Sequence, residues 1–272
     1  MTATRASSGG DPLVDWAGMR HEQAPGAARI ACLVPSITET LFALGLGERI
    51  VARTGFCVHP RTSVGSVPKI GGTKDVDLDR LRASAPTHLI VNVDENRKEV
   101  VELARAFVPH VIVTHPIVPE DNPRLYRLLG AIFACSDHAE RLASDFDDAL
   151  AFAQDTTQAL QRESVLYLIW RKPWMTVSRP TYVAATLARV GMDTLPATSE
   201  RRYPVVADDD RAWRDAQRIL LSTEPYAFRA RDAEDLQRAK GRPTHLIDGE
   251  WTSWYGVRAI EGLRALAAWR RG

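Results

Sequence analysis

What this 272-residue chain lacks narrows its function before any motif is considered. Its three cysteines, Cys32, Cys57 and Cys135, are an odd number without paired spacing, which argues against a disulfide framework. Cys32 and Cys135 read as small core residues, and Cys57 falls in a loop at an expected cleft. No apolar run approaches the roughly 20 residues that a bilayer span needs. Charge is nearly balanced, with 35 Lys and Arg against 34 Asp and Glu. No basic stripe for nucleic acid is present, and the Arg-rich end at 264–271 reads as a solvated helix terminus. There is no HxxxH, HExxH or CxxC spacing, so a zinc site made by protein alone has no support. There is also no GxSxG, GxGxxG or Walker loop, and Ser178 and Thr176 have no histidine nearby in sequence. Ligand binding is therefore expected rather than catalysis, with no intrinsic cofactor.

The N-terminus has an absence of its own. Residues 1–29 are rich in Ala, Gly, Ser and charge and lack the apolar stretch of about 7–15 residues that a secretion signal requires. That predicts a cytoplasmic protein if Met1 is the native start, and a periplasmic one if a leader has been removed. Residues 1–28 read as a flexible extension, although Leu13, Val14 and Trp16 are able to dock on the body.

The rest of the chain alternates apolar runs with helical patterns. Residues 30–34 form a buried-strand run that Pro35 ends, and Ser36 stands three residues before Glu39, the capping-box spacing. A helix then runs to Leu46 and stops at Gly47. Residues 50–53 read as a second strand, 77–81 as a helix, 87–93 and 108–114 as strands, and 118–135 as a helix. Residues 136–162 contain neither Pro nor Gly and keep apolar residues at helical spacing. A helix of about 25 residues rises roughly 38 Å, enough to connect two lobes. A second alternation follows: strands at 164–170, 218–222 and 245–248, with helices at 180–190, 230–239 and 257–269. The expected fold is α/β, with two Rossmann-like lobes joined by one long backbone helix and a ligand cleft between the lobes. The predicted boundaries are 1–28, 29–136, 137–162 for the connecting helix, and 163–272.

Several chemically distinctive residues fall just after predicted strands, where such sheets place ligands. Trp174 and Met175 follow the strand at 164–170, Tyr203 precedes Pro204 in a loop, and Glu250, Trp254 and Tyr255 follow the strand at 245–248. Aromatic faces in strand-end loops suit a large flat ligand. Trp170, inside its strand, is expected in the core, whereas Trp174, Trp254 and Tyr255 are expected to face the cleft. Asp94, Glu95, Asn96 and Arg97 either cap the next helix or line the cleft, with Arg97 holding ligand amides or carboxylates. His59 either hydrogen-bonds within its loop or coordinates a metal ion carried inside a chelate; His115 has the same two readings.

Residues 33–41 (LVPSITETL), 67–72 (VPKIGG) and 251–258 resemble the cobalamin- and siderophore-binding proteins that feed ABC importers, the helical-backbone metal-receptor superfamily. The resemblance covers roughly nine tenths of the chain. It implies two lobes joined by a rigid helix, a corrinoid or related metal chelate as ligand (cobalamin, another corrinoid, a haem or an iron–siderophore), and an importer permease as partner if the protein is exported. It places His59 where relatives set a tyrosine over the corrin and Thr73 where they often carry a tryptophan, so one stacking wall is missing. Met175, or Trp174 beside it, and Tyr203 match further aromatics. Glu250 and Trp254 match polar contacts to the corrin side chains, Trp254 standing where an arginine is usual. Asp79 and Asp209 match the acidic residues that meet permease arginines; as plain sequence, each is a helix-start carboxylate that complements the dipole. A cytosolic corrinoid or metal-chelate carrier or enzyme on the same fold is the runner-up. An interaction module whose cleft holds a protein segment is a more distant third.

Overall fold

The computed structural model describes residues 11–24, 26 and 28–272. Two compact units divide the chain: the first holds the described residues up to His115 together with 123–142, and the second holds 116–122 with 143–272.

The first unit alternates strand and helix: β1 (Ile30–Cys32), α1 (Pro35–Ala43), β2 (Ile50–Arg53), α2 (Leu78–Ala83), β3 (His88–Asn92), α3 (Lys98–Arg105), β4 (His110–Thr114) and most of α4 (Asn122–Ile132). Its four strands are all parallel, in the order β2-β1-β3-β4. Strand residues of both parities are buried, Ile30 and Cys32 as well as Ala31 and Leu89, as expected for a parallel sheet covered on both faces. One face packs Ala31, Leu33, Ala52, Leu89, Val91 and Val111 against Val101 and Ala104 of α3.

The second unit contains β5 (Glu163–Trp170), β6 (Met175–Thr176), α6 (Tyr182–Arg189), β7 (Met192–Thr194), α7 (Ala212–Asp215), β8 (Arg218–Ser222), α8 (Ala230–Lys240), β9 (Thr244–Ile247), α9 (Glu250–Ser253) and α10 (Arg258–Arg271). Strands β5, β8 and β9 lie side by side in parallel; β7 pairs parallel with the start of β5, and β6 antiparallel with its end. Leu166, Leu168, Ile219 and Leu221 pack on Trp213, Phe228 and Leu236. Two α/β halves with largely parallel sheets are the architecture the alternation predicts. The long helix forms as α5 (Ser136–Thr157), 22 residues long and so roughly 33 Å in rise. It ends before the expected 162 because Leu160 turns back to the Thr157 carbonyl.

Local structure departs from the sequence pattern in three places. Helix α1 starts one residue before the expected capping box: Val34 is the N-cap and makes no side-chain cap bond, and Pro35 is the first helical residue. A proline there loses nothing, since its missing N–H would be unpaired anyway and its φ suits the helix. Ser36 is therefore inside the first turn, and Thr38 and Thr40 return their hydroxyl protons to the Val34 and Ser36 carbonyls. Second, the residues before α3 give it no side-chain cap; Asn96 is used elsewhere. Third, the extension expected to be flexible is seated over residues 11–24, where Asp15 is buried and Trp16 N–H donates to the Val113 carbonyl at 3.1 Å. Residues 1–10 of that extension lie outside the described residues.

Candidate functional site

In the first unit the loops at the strand carboxyl ends are held by one cation. The buried Arg53 guanidinium, at the end of β2, donates to the carbonyls of Thr54, Cys57, Val64 and Val67 at 2.9–3.2 Å. Its fixed fork of donors satisfies a loop backbone that would otherwise be buried unpaired. Along that loop the side chains alternate. Phe56 and Val58 are exposed, by 63% and 46%, while Cys57 and His59 are buried. The Cys57 Sγ lies 3.1 Å from Thr38 Oγ1, and burial raises the thiol pKa, which disfavours the reactive thiolate. Gly71 is tied to the same loop, its carbonyl accepting from Gly55 N–H at 2.7 Å. It has φ +96°, and a Cβ there would overlap the Asp75 carbonyl, so only glycine fits.

Thr73 is half-buried, and its carbonyl accepts from Asn96 Nδ2 at 2.9 Å. Asn96 also accepts from Asn92 N–H at 2.8 Å, so it pins the loop after β3 and is no cap. Around it, Val93 is exposed, Asp94 faces His115 at 3.5 Å, and Glu95 is half-buried. Arg97 pairs with Asp75 at 3.3 Å in the open, a contact that adds little to stability. Asp79 is exposed in the first turn of α2, whose N-cap, Asp77, accepts from Arg80 N–H. A surface cavity of 570 Å³ lined by Leu44, Arg49, Phe133, Cys135 and His138 lies near the amino end of β2 and includes none of the expected site residues.

In the second unit the corresponding loops gather on a hydroxyl and carboxylate network that the sequence did not reveal. Tyr167 OH lies 2.6 Å from Thr252 Oγ1 and donates to Ser222 Oγ at 2.9 Å, and Ser222 Oγ donates to the Glu224 carbonyl. The Glu224 carboxylate accepts from Ser253 Oγ at 2.6 Å and from Trp254 Nε1 at 2.8 Å. Burial pushes its pKa up, the two hydrogen bonds work against that, and nearby Glu250 and Asp248 add to the rise. A Cβ on Gly249 would strike the Glu224 side chain and Ser222 Oγ. Trp254 and Tyr255, both expected at the cleft, are only 8% and 5% exposed. The half-buried Glu224 carboxylate gives the indole N–H an acceptor, and Tyr255 packs edge-on against Tyr182, 5.6 Å between ring centroids.

Trp170 is the reverse case: expected in the core, it is 41% exposed. It overhangs β5 beyond Leu168, where the pairing with β8 ends, and meets Tyr226 edge-on at 5.4 Å. Trp174 is half-buried, stacked at 6.0 Å on Phe228 and edge-on to Trp213. Met175 bridges Val205, and a ladder from Trp174–Val206 to Ser178–Arg202 holds the segment carrying Tyr203. Tyr203 and Val205 are exposed, Glu250 is half-buried 3.5 Å from Arg258, and Asp209 is exposed just before α7.

Nine large apolar residues are prominently exposed among the described residues: Met19, Phe56, Val58, Val93, Leu103, Phe152, Trp170, Tyr203 and Val205. Six of them, all except Met19, Leu103 and Phe152, lie on loops or strand ends beyond the carboxyl ends of β2, β3, β5 and β7. Each unit therefore presents apolar side chains on the side where parallel sheets bind ligands. No group of three His, Cys, Asp or Glu side chains able to hold a metal ion occurs among the described residues. No helix there is long and apolar enough to cross a membrane.

Comparison with known proteins fits this arrangement. Residues 30–243 match the model of the family described as periplasmic binding protein. The chain belongs to that family. It is 22% identical over 234 residues to the vitamin B12-binding protein of Pectobacterium carotovorum, a match covering 85% of this chain and 84% of that one. It is 21% identical to the vitamin B12-binding protein of Vibrio parahaemolyticus, over 83% of this chain and 75% of the other. Among solved structures it superposes on the periplasmic vitamin B12-binding protein BtuF of Vibrio cholerae with a TM-score of 0.75 at 18% identity, covering 91% of this chain and 98% of that one. On the periplasmic heme-binding protein RhuT of Roseiflexus sp. RS-1 in apo form, the TM-score is 0.78 at 21% identity, covering 90% and 98%. Membership in a family of binding proteins agrees with the expectation of ligand capture rather than catalysis.

Proposed function

We propose that this periplasmic binding protein captures a metal chelate built on a broad, flat macrocycle, a corrinoid of the cobalamin type or a haem, for delivery to an ABC importer permease. The observation that carries the reading is the collection of exposed apolar side chains at the strand carboxyl ends of each unit. Flat macrocycles are recognised by such surfaces, because aromatic and branched side chains bury area at little cost in side-chain entropy. The named activities of the relatives, vitamin B12 binding and heme binding, support the same ligand class.

In this reading Phe56, Val58 and Val93 supply apolar contacts in the first unit, and Trp170, Met175, Tyr203 and Val205 do so in the second. Arg97, Asp94, Glu95, Thr73 and Glu250 are the polar groups near those surfaces, suited to ligand amides or carboxylates. Trp174, Trp254 and Tyr255 serve from beneath, by shaping the loops. His59 is the residue assigned to ligate an ion brought in by the chelate, since neutral imidazole is the commonest protein ligand for such metals. Asp79 and Asp209, one exposed carboxylate on each unit, fit a role in steering onto permease arginines. The protein then works outside the cytoplasm, like the periplasmic relatives.

Titration with cyanocobalamin, hydroxocobalamin and haemin, followed by visible absorption, tests the proposal. A saturable spectral change with at least one of them is expected. His59→Ala should shift the bound spectrum if the imidazole reaches the metal, and only weaken binding if it does not. A chain that alters none of the three spectra would sink the reading.

A further inference from the structure

We infer that the surface cavity near the amino end of β2 binds a small organic anion, a carboxylate or phosphate carried on a short apolar stub. The cavity, 570 Å³ in volume, lies within the first unit, where the turn after α1 meets the turn between α4 and α5. Its floor is apolar: Leu44, Leu46 and Phe133 are each at most 2% exposed. Arg49, His138 and Arg141 stand in its wall, and Asp137 is the only carboxylate in the lining. An apolar floor of this size with a few polar groups is usual for small-molecule sites. The cavity is at the other end of β2 from the loop that carries Phe56 and Val58, so it is separate from the proposed chelate surface.

Arg49 is what points to an anion. Elsewhere the half-buried arginines Arg171, Arg189, Arg218, Arg258 and Arg270 each face a carboxylate. Arg49 is half-buried too, yet it donates to the Phe133 carbonyl at 3.2 Å and pairs with no carboxylate among the described residues. A partly desolvated charge without a counter-charge is unfavourable. The guanidinium has five donors, and their planar fork matches a carboxylate or phosphate. His138 and Arg141, three residues apart on α5, share one side of that helix. The His138 ring offers an N–H in either neutral tautomer. Arg141 is exposed and likewise forms no ion pair among the described residues. Asp137 does not cancel this set, because its place in the first turn of α5 complements the helix dipole.

Cys135 reports on the same place. Its half-buried thiol is in the lining; burial raises its pKa, and the Arg49 charge works against that rise. An anion beside Arg49 should cancel the help and cover the sulfur, which slows alkylation. The other two cysteines, Cys32 and Cys57, are fully buried, so a small alkylating agent reads Cys135.

The full chain treated with iodoacetamide, with Cys135 labelling followed by peptide mass spectrometry, tests the inference. Adding phenyl phosphate or benzoate should slow labelling saturably, by about fivefold or more with at least one of them, at a midpoint of about 1 mM or below. Benzyl alcohol, neutral and of similar size, should not slow it. Arg141→Gln should raise the midpoint about tenfold, and Arg49→Gln should raise it further. If Arg49→Gln does not fold, Arg49→Lys, which keeps the charge and loses the fork, should still weaken the effect. Arg127→Gln, outside the lining and paired with Glu140, should leave the midpoint unchanged. No slowing by either anion, equal slowing by benzyl alcohol, or an unchanged midpoint in the folded variants of Arg49 and Arg141 would overturn the inference.

Discussion

Arg53 in the first unit, buried, and Glu224 in the second, half-buried, each stand at the carboxyl end of a parallel strand and brace the neighbouring loops with opposite charge. Arg53 spreads its donors over four backbone carbonyls. Glu224 instead collects two side-chain donors, one of them an indole. Exposed apolar side chains stand at the strand carboxyl ends of both units: Phe56 and Val58 in one, Trp170, Tyr203 and Val205 in the other. The difference is in how the charge responds to solvent. A guanidinium stays protonated at any pH the fold survives, whereas a buried carboxylate trades its charge for a proton when desolvation outweighs its hydrogen bonds. One loop system is therefore braced independently of pH, and the other is not.

Removing the cation should have the largest effect. Arg53→Met leaves four loop carbonyls short of donors and should cost about 3–5 kcal/mol in urea unfolding. Arg53→Lys should recover only part of this, because an ammonium lacks the planar fork. A loss below about 1 kcal/mol would mean that Arg53 fills space and braces nothing, and the comparison would fail on its stronger side.

Two buried asparagines extend the comparison at smaller scale. Asn96 joins the Asn92 N–H to the Thr73 carbonyl in the first unit. Asn122 joins the Pro119 carbonyl, the Tyr182 hydroxyl and the Gly256 N–H in the second. Asn122→Ala strands three partners and should cost about 2–3 kcal/mol, with Asn96→Ala close behind at about 2 kcal/mol. Thermal unfolding of both variants checks the order.

Surface variants separate stability from binding. Phe56→Ser and Tyr203→Ser remove exposed side chains, so each should leave the unfolding free energy within about 0.5 kcal/mol. If the proposed ligand contacts are right, each should weaken chelate binding about tenfold, or about 1.4 kcal/mol. A tenfold loss for one and none for the other would show that only one unit's surface is used.

How legible all this was depends on the length scale of each feature. Strand β8 takes the bounds that its apolar run predicts, and α8 and α10 fall within two residues of theirs, because burial of a whole face writes a period into the sequence. Strands β6 and β7, of two and three residues, are too short to carry a period, and α9 is hidden in a stretch that reads as a polar loop. Exposure of single aromatics was the least legible. Polar neighbours suggested that Trp254 faces the cleft, but nothing near it in sequence announced its bond to Glu224, thirty residues away. Trp170 looked like core from its strand, yet the pairing with β8 ends two residues before it and only the two-residue β6 lies beside it. Arg53 was visible as the end of a strand, but nothing local marks a cation whose acceptors are spread over residues 54–67. Phe56 and Val58 stood in a loop beside His59, and their alternation with buried Cys57 was the available sign.

The carboxylate side of the comparison gives the smallest effect and a distinctive sign. Burial raises the Glu224 pKa above its ordinary 4.5, so the folded chain holds a proton there that the unfolded chain releases. The stability this contributes is complete below about pH 4.5 and is lost as the pH rises through the raised value. His88 in the first unit runs the other way: its pKa of about 4 in the fold, against an ordinary 6.5, makes stability increase with pH across that interval. Glu224→Gln keeps an acceptor for Trp254 Nε1 and should change stability by less than about 1 kcal/mol at pH 4.5. As the pH rises toward 7.5, the variant should gain on the unmodified chain, because an amide has no proton to lose. Urea midpoints of the pair measured across that range decide it. A constant difference would mean that Glu224 keeps its charge in the fold, and the two braces would then differ in sign alone.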